Sequence, residues 1–102
     1  MWYEITKPTK IFAGTSGTVN VPVGSVLLHL RILGGSVIGI PDGQGNSITL
    51  TGGAAGWLEY DPWHLNVKFQ QANDTSPAAT WAVVFSGTSS YVLEVMNPQG
   101  GF

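Results

Sequence analysis

The sequence predicts an all-β protein: an antiparallel β-sandwich of about eight short strands, with a jelly roll as one form of that sandwich. Three observations predict it. Alternation of apolar and polar residues recurs along the chain, whereas apolar residues follow helical spacing for no more than one turn. The 14 glycines and 6 prolines interrupt the alternation at intervals of about 8–12 residues. The 102 residues suit a single domain, 1–102, with residues 1–8 as an N-terminal arm and 97–102 as a C-terminal tail.

The first elements are short and separated by glycine and proline. Trp2–Thr6 is predicted as a brief strand that ends before Pro8, and Lys10–Ala13 begins the next. The Gly-Thr-Ser-Gly sequence of residues 14–17 has turn chemistry. Thr18–Val23 then alternates again, which predicts a strand with its valines on one face.

Ser25–Leu33 has the clearest strand pattern. Strict alternation predicts that Val26, Leu28, Leu30 and Ile32 point one way and that Leu27, His29, Arg31 and Leu33 point the other way. We expect the second set to face outward, because it contains the charged residues.

The remaining strands follow from the same alternation. In His64–Gln70, we expect Leu65, Val67 and Phe69 to point inward. Trp81 is expected in the core with Val83 and Phe85. The other predicted strands are Ser36–Ile40, a strand marked by Ile48 and Leu50, Trp57–Tyr60, Trp81–Phe85 and Tyr91–Val95.

Two segments of the chain resemble each other. Phe12–Val19 and Phe85–Val92 both contain a strand, a turn with Gly-Thr-Ser and the start of another strand. Two copies do not make a repeat array. The preferred interpretation is that two hairpins use the same turn chemistry. A further hypothesis is that both hairpins lie at one end of the sandwich.

The charge content is low. Only 10% of the residues are Asp, Glu, Lys or Arg, against roughly 25% in an average domain. Either Ser, Thr, Asn, Gln and Gly cover a monomer's surface, or neighbouring subunits bury much of that surface. We favour the second interpretation, because the cores of protein interfaces are depleted in charge.

The few basic residues argue against nucleic acid and anionic membranes as partners. Only Lys7, Lys10, Arg31 and Lys68 are basic, and phosphate backbones are bound through many such contacts. The longest apolar run, Val26–Leu33, contains His29 and Arg31 and is far shorter than a membrane span.

The sequence gives no pattern for catalysis, a cofactor or a metal, so we expect a protein that is not an enzyme. It has no cysteine, and its two histidines and six carboxylates have no metal-site spacing. It also has no Gly-x-Ser-x-Gly elbow. Asp42–Asn46 has oxygen-bearing side chains at alternate positions, but Gly53 stands where a calcium loop needs its bidentate Glu. A polar turn is the better interpretation.

An aromatic cluster is the strongest candidate for a binding site. Trp57, Tyr60 and Trp63 fall within seven residues, next to Glu59 and Asp61. Flat rings beside hydrogen-bonding groups are typical of a sugar-binding surface. Burial in the core explains Trp57 and Trp63 equally well, since most sandwich tryptophans are buried.

Large aromatic residues also stand at both ends of the chain. Chain ends usually fray, so Trp2, Tyr3 and Phe102 would be exposed unless they dock. We therefore predict that they pack on a neighbouring subunit or on the chain's own sandwich. The predicted assembly contacts are Trp2, Tyr3, Leu27, Leu33 and Phe102.

Two stretches, Ile11–Leu28 and Trp81–Val95, resemble small virion proteins of tailed bacteriophages. They are rich in Gly, Thr, Ser and Val, almost uncharged, and close with Phe-Ser-Gly-Thr-Ser-Ser-Tyr-Val-Leu-Glu-Val. The resemblance implies a structural protein of a virion, of the capsid-decoration, knob, neck or fibre type. It implies that the partner is another copy, in a trimer or other symmetric oligomer, or another structural protein such as a capsid protein. A carbohydrate-binding module that uses Trp57, Tyr60 and Trp63 is the alternative.

Overall fold

The computed structural model describes residues 9–52, 56–62, 65, 67–69 and 80–97. Eight strands account for most of these residues. They are β1 (Thr9–Gly14), β2 (Gly17–Pro22), β3 (Val26–Leu33), β4 (Ser36–Pro41), β5 (Ser47–Thr51), β6 (Trp57–Tyr60), β7 (Thr80–Ser86) and β8 (Ser90–Met96). In the described part of the chain, no helix is long and apolar enough to cross a membrane.

The strands form two antiparallel sheets that share one core. The first sheet has the order β1-β8-β3-β6, and the second has the order β2-β7-β4-β5. The pairing is nested, because β1 pairs with β8, β2 with β7, β3 with β6 and β4 with β5. Eight strands wound in this way form a jelly roll. The predicted all-β sandwich of about eight strands is therefore confirmed.

The core lies between the sheets and is filled by every second residue of the strands. Its fully buried side chains include Leu30, Ile32, Val83 and Leu93. Phe85 and Tyr91 stack with their ring centroids 3.8 Å apart. Complete burial of one such side chain contributes about 1.5–3 kcal/mol to folding. The alternation in the sequence thus determines which face of each sheet is inward.

Trp81 lies at the edge of this core. It is half-buried, packs against the core and meets Phe69 edge-on, with ring centroids 6.3 Å apart. Its indole N–H donates a hydrogen bond of 2.6 Å to the carbonyl of Gly39. Trp81 therefore points toward the core as expected, but it is half-buried and not fully buried.

The predicted orientation of Leu27 is wrong. In β3, the pairing register with β8 shifts between Leu27 and His29, which marks a β-bulge at Leu28. The extra residue lets Leu27 and Leu30 point to the same side. Leu27 is fully buried, while His29, Arg31 and Leu33 point outward as expected. Leu27 therefore belongs to the core and not to an assembly contact.

The segment predicted as the strand His64–Gln70 is described only at Leu65 and Val67–Phe69. Val67 and Phe69 are buried as expected, and the backbone of Val67 and Phe69 bonds to residues 24–27. Leu65 is 62% exposed, so its predicted inward orientation is wrong. Its amide bonds to the carbonyl of Pro62, which turns the chain there. The predicted strand Trp2–Thr6 lies outside the described residues, as does the rest of the N-terminal arm.

The two similar turns meet at one end of the sandwich. The Ser16 hydroxyl donates to the carbonyl of Thr88 at 3.2 Å, and the Thr88 hydroxyl donates to the carbonyl of Thr15. Both turns therefore lie at the same end, as expected, but the interpretation as hairpins is wrong, because each turn joins strands of different sheets. In a nested arrangement, the β1–β2 and β7–β8 connections must lie together, because β2 pairs with β7 and β1 with β8.

Gly34 and Gly35 give a matched test of how tightly this end is packed. Both have left-handed backbones, with φ of 70° and 64°. A Cβ on Gly34 would meet nothing within 4 Å, whereas a Cβ on Gly35 would lie 2.4 Å from the Ser86 carbonyl oxygen. We expect Gly34→Ala to cost about 1–2 kcal/mol of unfolding free energy from backbone strain alone. Gly35→Ala should cost a further 1–3 kcal/mol, approximately, from overpacking. Urea unfolding measures both, and equal losses would contradict the packing of this end.

Leu27 and Leu33 give a matched test of the bulge. We expect Leu27→Ala to lower the free energy of unfolding by about 2–5 kcal/mol, because it leaves a cavity in the core. Leu33→Ala, on the outer face of the same strand, should cost clearly less. Urea unfolding of both variants checks this, and the reverse order of losses would mean that β3 has no bulge.

Candidate functional site

The two sheets present very different outer faces. The outer face of the first sheet combines apolar and charged residues, and we call it the mixed face. Its outward residues are Thr9, Ile11, Ala13, His29, Arg31, Leu33, Trp57, Glu59, Ser90, Val92, Glu94 and Met96.

The outer face of the second sheet carries no charged residue along its strands, and we call it the uncharged face. Small and hydroxyl-bearing side chains dominate it, with Ile38 as the largest apolar side chain. Its outward residues are Thr18, Asn20, Pro22, Ser36, Ile38, Ser47, Thr49, Thr51, Thr80, Ala82, Val84 and Ser86. The charged strand residues are thus concentrated on one side of the molecule.

A histidine–carboxylate pair lies in the mixed face. His29 Nε2 is 3.1 Å from Glu59 Oε1, a contact between neighbouring strands β3 and β6. Glu94 stands directly across from His29 on the other neighbour, β8. The His29 and Glu59 side chains are 27% and 60% exposed, so water screens their attraction. A pair this exposed contributes about 0–1 kcal/mol to stability.

Arg31 and Trp57 form the second pair in this face. The Arg31 guanidinium carbon lies 4.6 Å from the centroid of the Trp57 ring, in the geometry of a cation–π contact. Trp57 stands directly opposite Leu33 on the neighbouring strand. It therefore points to the same outer side of the sheet as Leu33 and Arg31. The ring remains 42% exposed. A large aromatic surface is therefore held in place and left open to solvent.

The mixed face has the composition of a protein interface. Interfaces are enriched in aromatic residues, Met and Arg, and their strongest anchors are Trp, Tyr and Arg. Of the four large hydrophobic residues that are clearly exposed among the described ones, two lie here, Ile11 at 61% and Trp57 at 42%. Ile38 lies on the uncharged face and Leu65 lies in a loop. The outward residues of the uncharged face include no aromatic residue, Met or Arg.

The predicted sugar-binding cluster is divided between the two sides of its sheet. Trp57 points outward, which settles it as exposed, whereas Tyr60 points inward and packs against the core. The prediction that Tyr60 shares a surface with Trp57 is therefore wrong. Strand β6 is regular from Trp57 to Tyr60, so residues three apart must lie on opposite sides. Trp63 lies outside the described residues.

Of the predicted assembly contacts, only Leu33 lies on the mixed face. It is half-buried next to Trp57. Leu27 is in the core, and Trp2, Tyr3 and Phe102 lie outside the described residues. Sequence reasoning did not select Ile11 or Arg31 as contacts. The outward position of Arg31 follows from the alternation of β3, whereas the pattern of β1 does not indicate which side Ile11 takes.

Other polar groups in the described part of the chain serve the fold. The Asp42 carboxylate accepts hydrogen bonds from the amides of Gln44 and Asn46 at 2.7 and 3.0 Å, which closes the β4–β5 turn. Ser16 and Thr88 bond to each other's turns. Among the described residues, no three His, Cys, Asp or Glu side chains converge closely enough to hold a metal ion.

Comparison with known proteins finds no family model, curated protein or solved structure that matches this chain. A jelly roll by itself does not define a function, because one fold supports many functions. The mixed face is therefore the basis on which the function has to be argued.

Proposed function

We propose that this chain is a non-enzymatic structural protein that self-assembles or decorates a larger assembly through its mixed face. The observation that carries the proposal is the Arg31–Trp57 pair, held open to solvent on a sheet whose opposite counterpart has no charged strand residue. Stability does not require such a pair at an exposed position. Covering it with a partner would desolvate the ring and the guanidinium together, which is how interface anchors contribute.

The grouping of charged and large apolar side chains on one face supports the same proposal. Three of the few charged residues, together with Trp57 and Ile11, lie on the one face that has anchor residues. A partner that covers this face removes apolar surface from water at about 25 cal/mol per Å2, before the cost of association. Decoration of another protein and self-assembly would use the same surface.

A virion of a tailed bacteriophage is the finer form of the proposal. Its support is the resemblance of Ile11–Leu28 and Trp81–Val95 to small virion proteins. These stretches contain all of β2, most of β1, β7 and β8, and both Gly-Thr-Ser turns. Jelly rolls are also a common architecture of viral capsid domains, although lectin domains share it. The expected partner is another copy of the chain or a capsid protein.

Trp57→Ala and a matched pair of Ile→Thr substitutions, one on each face, test self-association through the mixed face. We expect Trp57→Ala to raise the dissociation constant of self-association at least about tenfold, because it removes an aromatic anchor. Ile11→Thr should weaken association a few-fold, whereas Ile38→Thr, the same change on the uncharged face, should alter it less than about twofold. Sedimentation velocity over a dilution series measures all three against the wild type.

Two outcomes would contradict self-association through the mixed face. One is a wild-type chain that stays monomeric at the highest concentration reached. The other is an oligomer that tolerates Trp57→Ala and dissociates with Ile38→Thr. Thermal unfolding of each variant is the control for folding.

Carbohydrate binding at the mixed face is the second candidate, because the exposed Trp57 ring lies beside groups that hydrogen-bond to hydroxyls. These are the Arg31 guanidinium and the Glu59 carboxylate. A glycan array with the wild type and Trp57→Ala tests it. Specific retention of a glycan that is lost in Trp57→Ala would favour this candidate. If no glycan is retained, the candidate is wrong.

A further inference from the structure

Two opposite charges of the mixed face have no ionic partner within the described part of the chain. The His29–Glu59 contact is the only ion pair there. Arg31 lies against Trp57, and Glu94 lies between Ile11 and His29 on the neighbouring strands. A guanidinium and a carboxylate on one face, neither of them in an ion pair among the described residues, form a surface that is complementary in charge to itself.

The pairing register places these two residues on a diagonal. Glu94 is the Cα partner of His29, and Val92 is the Cα partner of Arg31. The four residues therefore form a rectangle on β3 and β8, with Arg31 and Glu94 at opposite corners. Adjacent strands are about 4.8 Å apart, and alternate residues of a strand are about 7 Å apart.

A two-fold axis exchanges such a pair when it lies in the plane of contact and bisects the line between the two residues at a right angle. Contacts of this type are isologous: if one residue meets a second across the interface, the second also meets the first. With this axis, Arg31 of each copy faces Glu94 of the other, and Val92 and His29 lie close to the axis. The same operation brings Ile11 next to Leu33 of the second copy.

We infer that a second copy of this chain covers the mixed face in a two-fold, face-to-face contact that exchanges Arg31 and Glu94 between the copies. This inference rests on the proposed self-assembly and specifies its geometry. Charge complementarity selects the second copy as the occupant, because each copy supplies both the unpaired cation and the unpaired anion. The Ile11–Leu33 contacts add apolar burial beside the ion pairs.

Charge reversal with rescue tests the exchange. We expect Arg31→Glu and Glu94→Arg each to raise the dissociation constant of the dimer at least about tenfold, since each places like charges opposite each other. The double variant Arg31→Glu/Glu94→Arg restores both pairs and the net charge, so its dissociation constant should return to within about threefold of the wild type. Sedimentation velocity in low salt measures the four proteins.

A second double variant is the matched control. Arg31→Glu/Glu59→Arg also keeps the net charge. It changes Glu59, which stands opposite Arg31 on the neighbouring strand of the same copy, and leaves Glu94 in place. We expect no recovery of association in this variant. All substituted side chains are exposed or half-buried, and circular dichroism confirms that each variant folds.

The outcomes separate this inference from the proposed function. The exchange is overturned if the single variants weaken the dimer and the Arg31→Glu/Glu94→Arg variant does not restore its dissociation constant. It is also overturned if both double variants restore the dissociation constant equally. Sensitivity to Trp57→Ala would still support the mixed face as the contact. If neither single reversal weakens a wild-type dimer, the exchange is also overturned. A wild-type chain that is monomeric throughout overturns the exchange together with self-association, and leaves decoration of another protein as the form of the proposed function.

Discussion

The register of β3 between β8 and β6 is the constraint on which the rest of the molecule depends. The bulge at Leu28 lets two residues of β3, Leu27 and Leu30, enter the core on either side of it. From His29 onward, the alternation is regular and places His29, Arg31 and Leu33 outside. A slip of one residue would bury Arg31 and expose Ile32, and an unpaired charge in the core costs several kcal/mol, approximately. The position of every charged group of the mixed face follows from this register.

The nested pairing connects β3 to the other strands of the sandwich. Each of the first four strands pairs with one of the last four, and all of these pairings except the β4–β5 hairpin join distant segments of the chain. The glycine-rich end makes this possible, because Gly35 approaches the backbone of residues 86–88 more closely than any side chain allows. A chain with few charges thereby keeps Arg31, Glu59 and Glu94 together on one face.

The sequence predicted most of the strands because their alternation is local. The valines of β2, the odd-numbered residues of β7 and β8 and the outward positions of β3 beyond the bulge all follow from a period of two. Leu27 could not be predicted, since a bulge depends on pairing with β8, more than sixty residues away in the sequence. Leu65 has the residue type of a core position, but Pro62 turns the chain before the alternation begins.

The candidate site was predictable only in part, for the same reason. The sequence indicates Trp57 as a candidate, but closeness in sequence indicates Tyr60 and Trp63 as its neighbours. Its true neighbours, Arg31 and Leu33, lie across a strand pair, and no local pattern indicates which strands become adjacent. The outward direction of Arg31 was predicted, but its contact with Trp57 required the order of the sheet.

The central claim is that the mixed face is the surface that a partner copy covers. Hydroxyl-radical footprinting of the wild-type chain, at a dilute and at a high concentration, tests it most directly, because oxidation reports side-chain exposure residue by residue. The account predicts that oxidation of Trp57, Leu33 and Met96 falls as the concentration rises, while oxidation of Ile38 and Val84 on the uncharged face does not change. Equal oxidation of the mixed face at both concentrations, or protection confined to Ile38 and Val84, would contradict it.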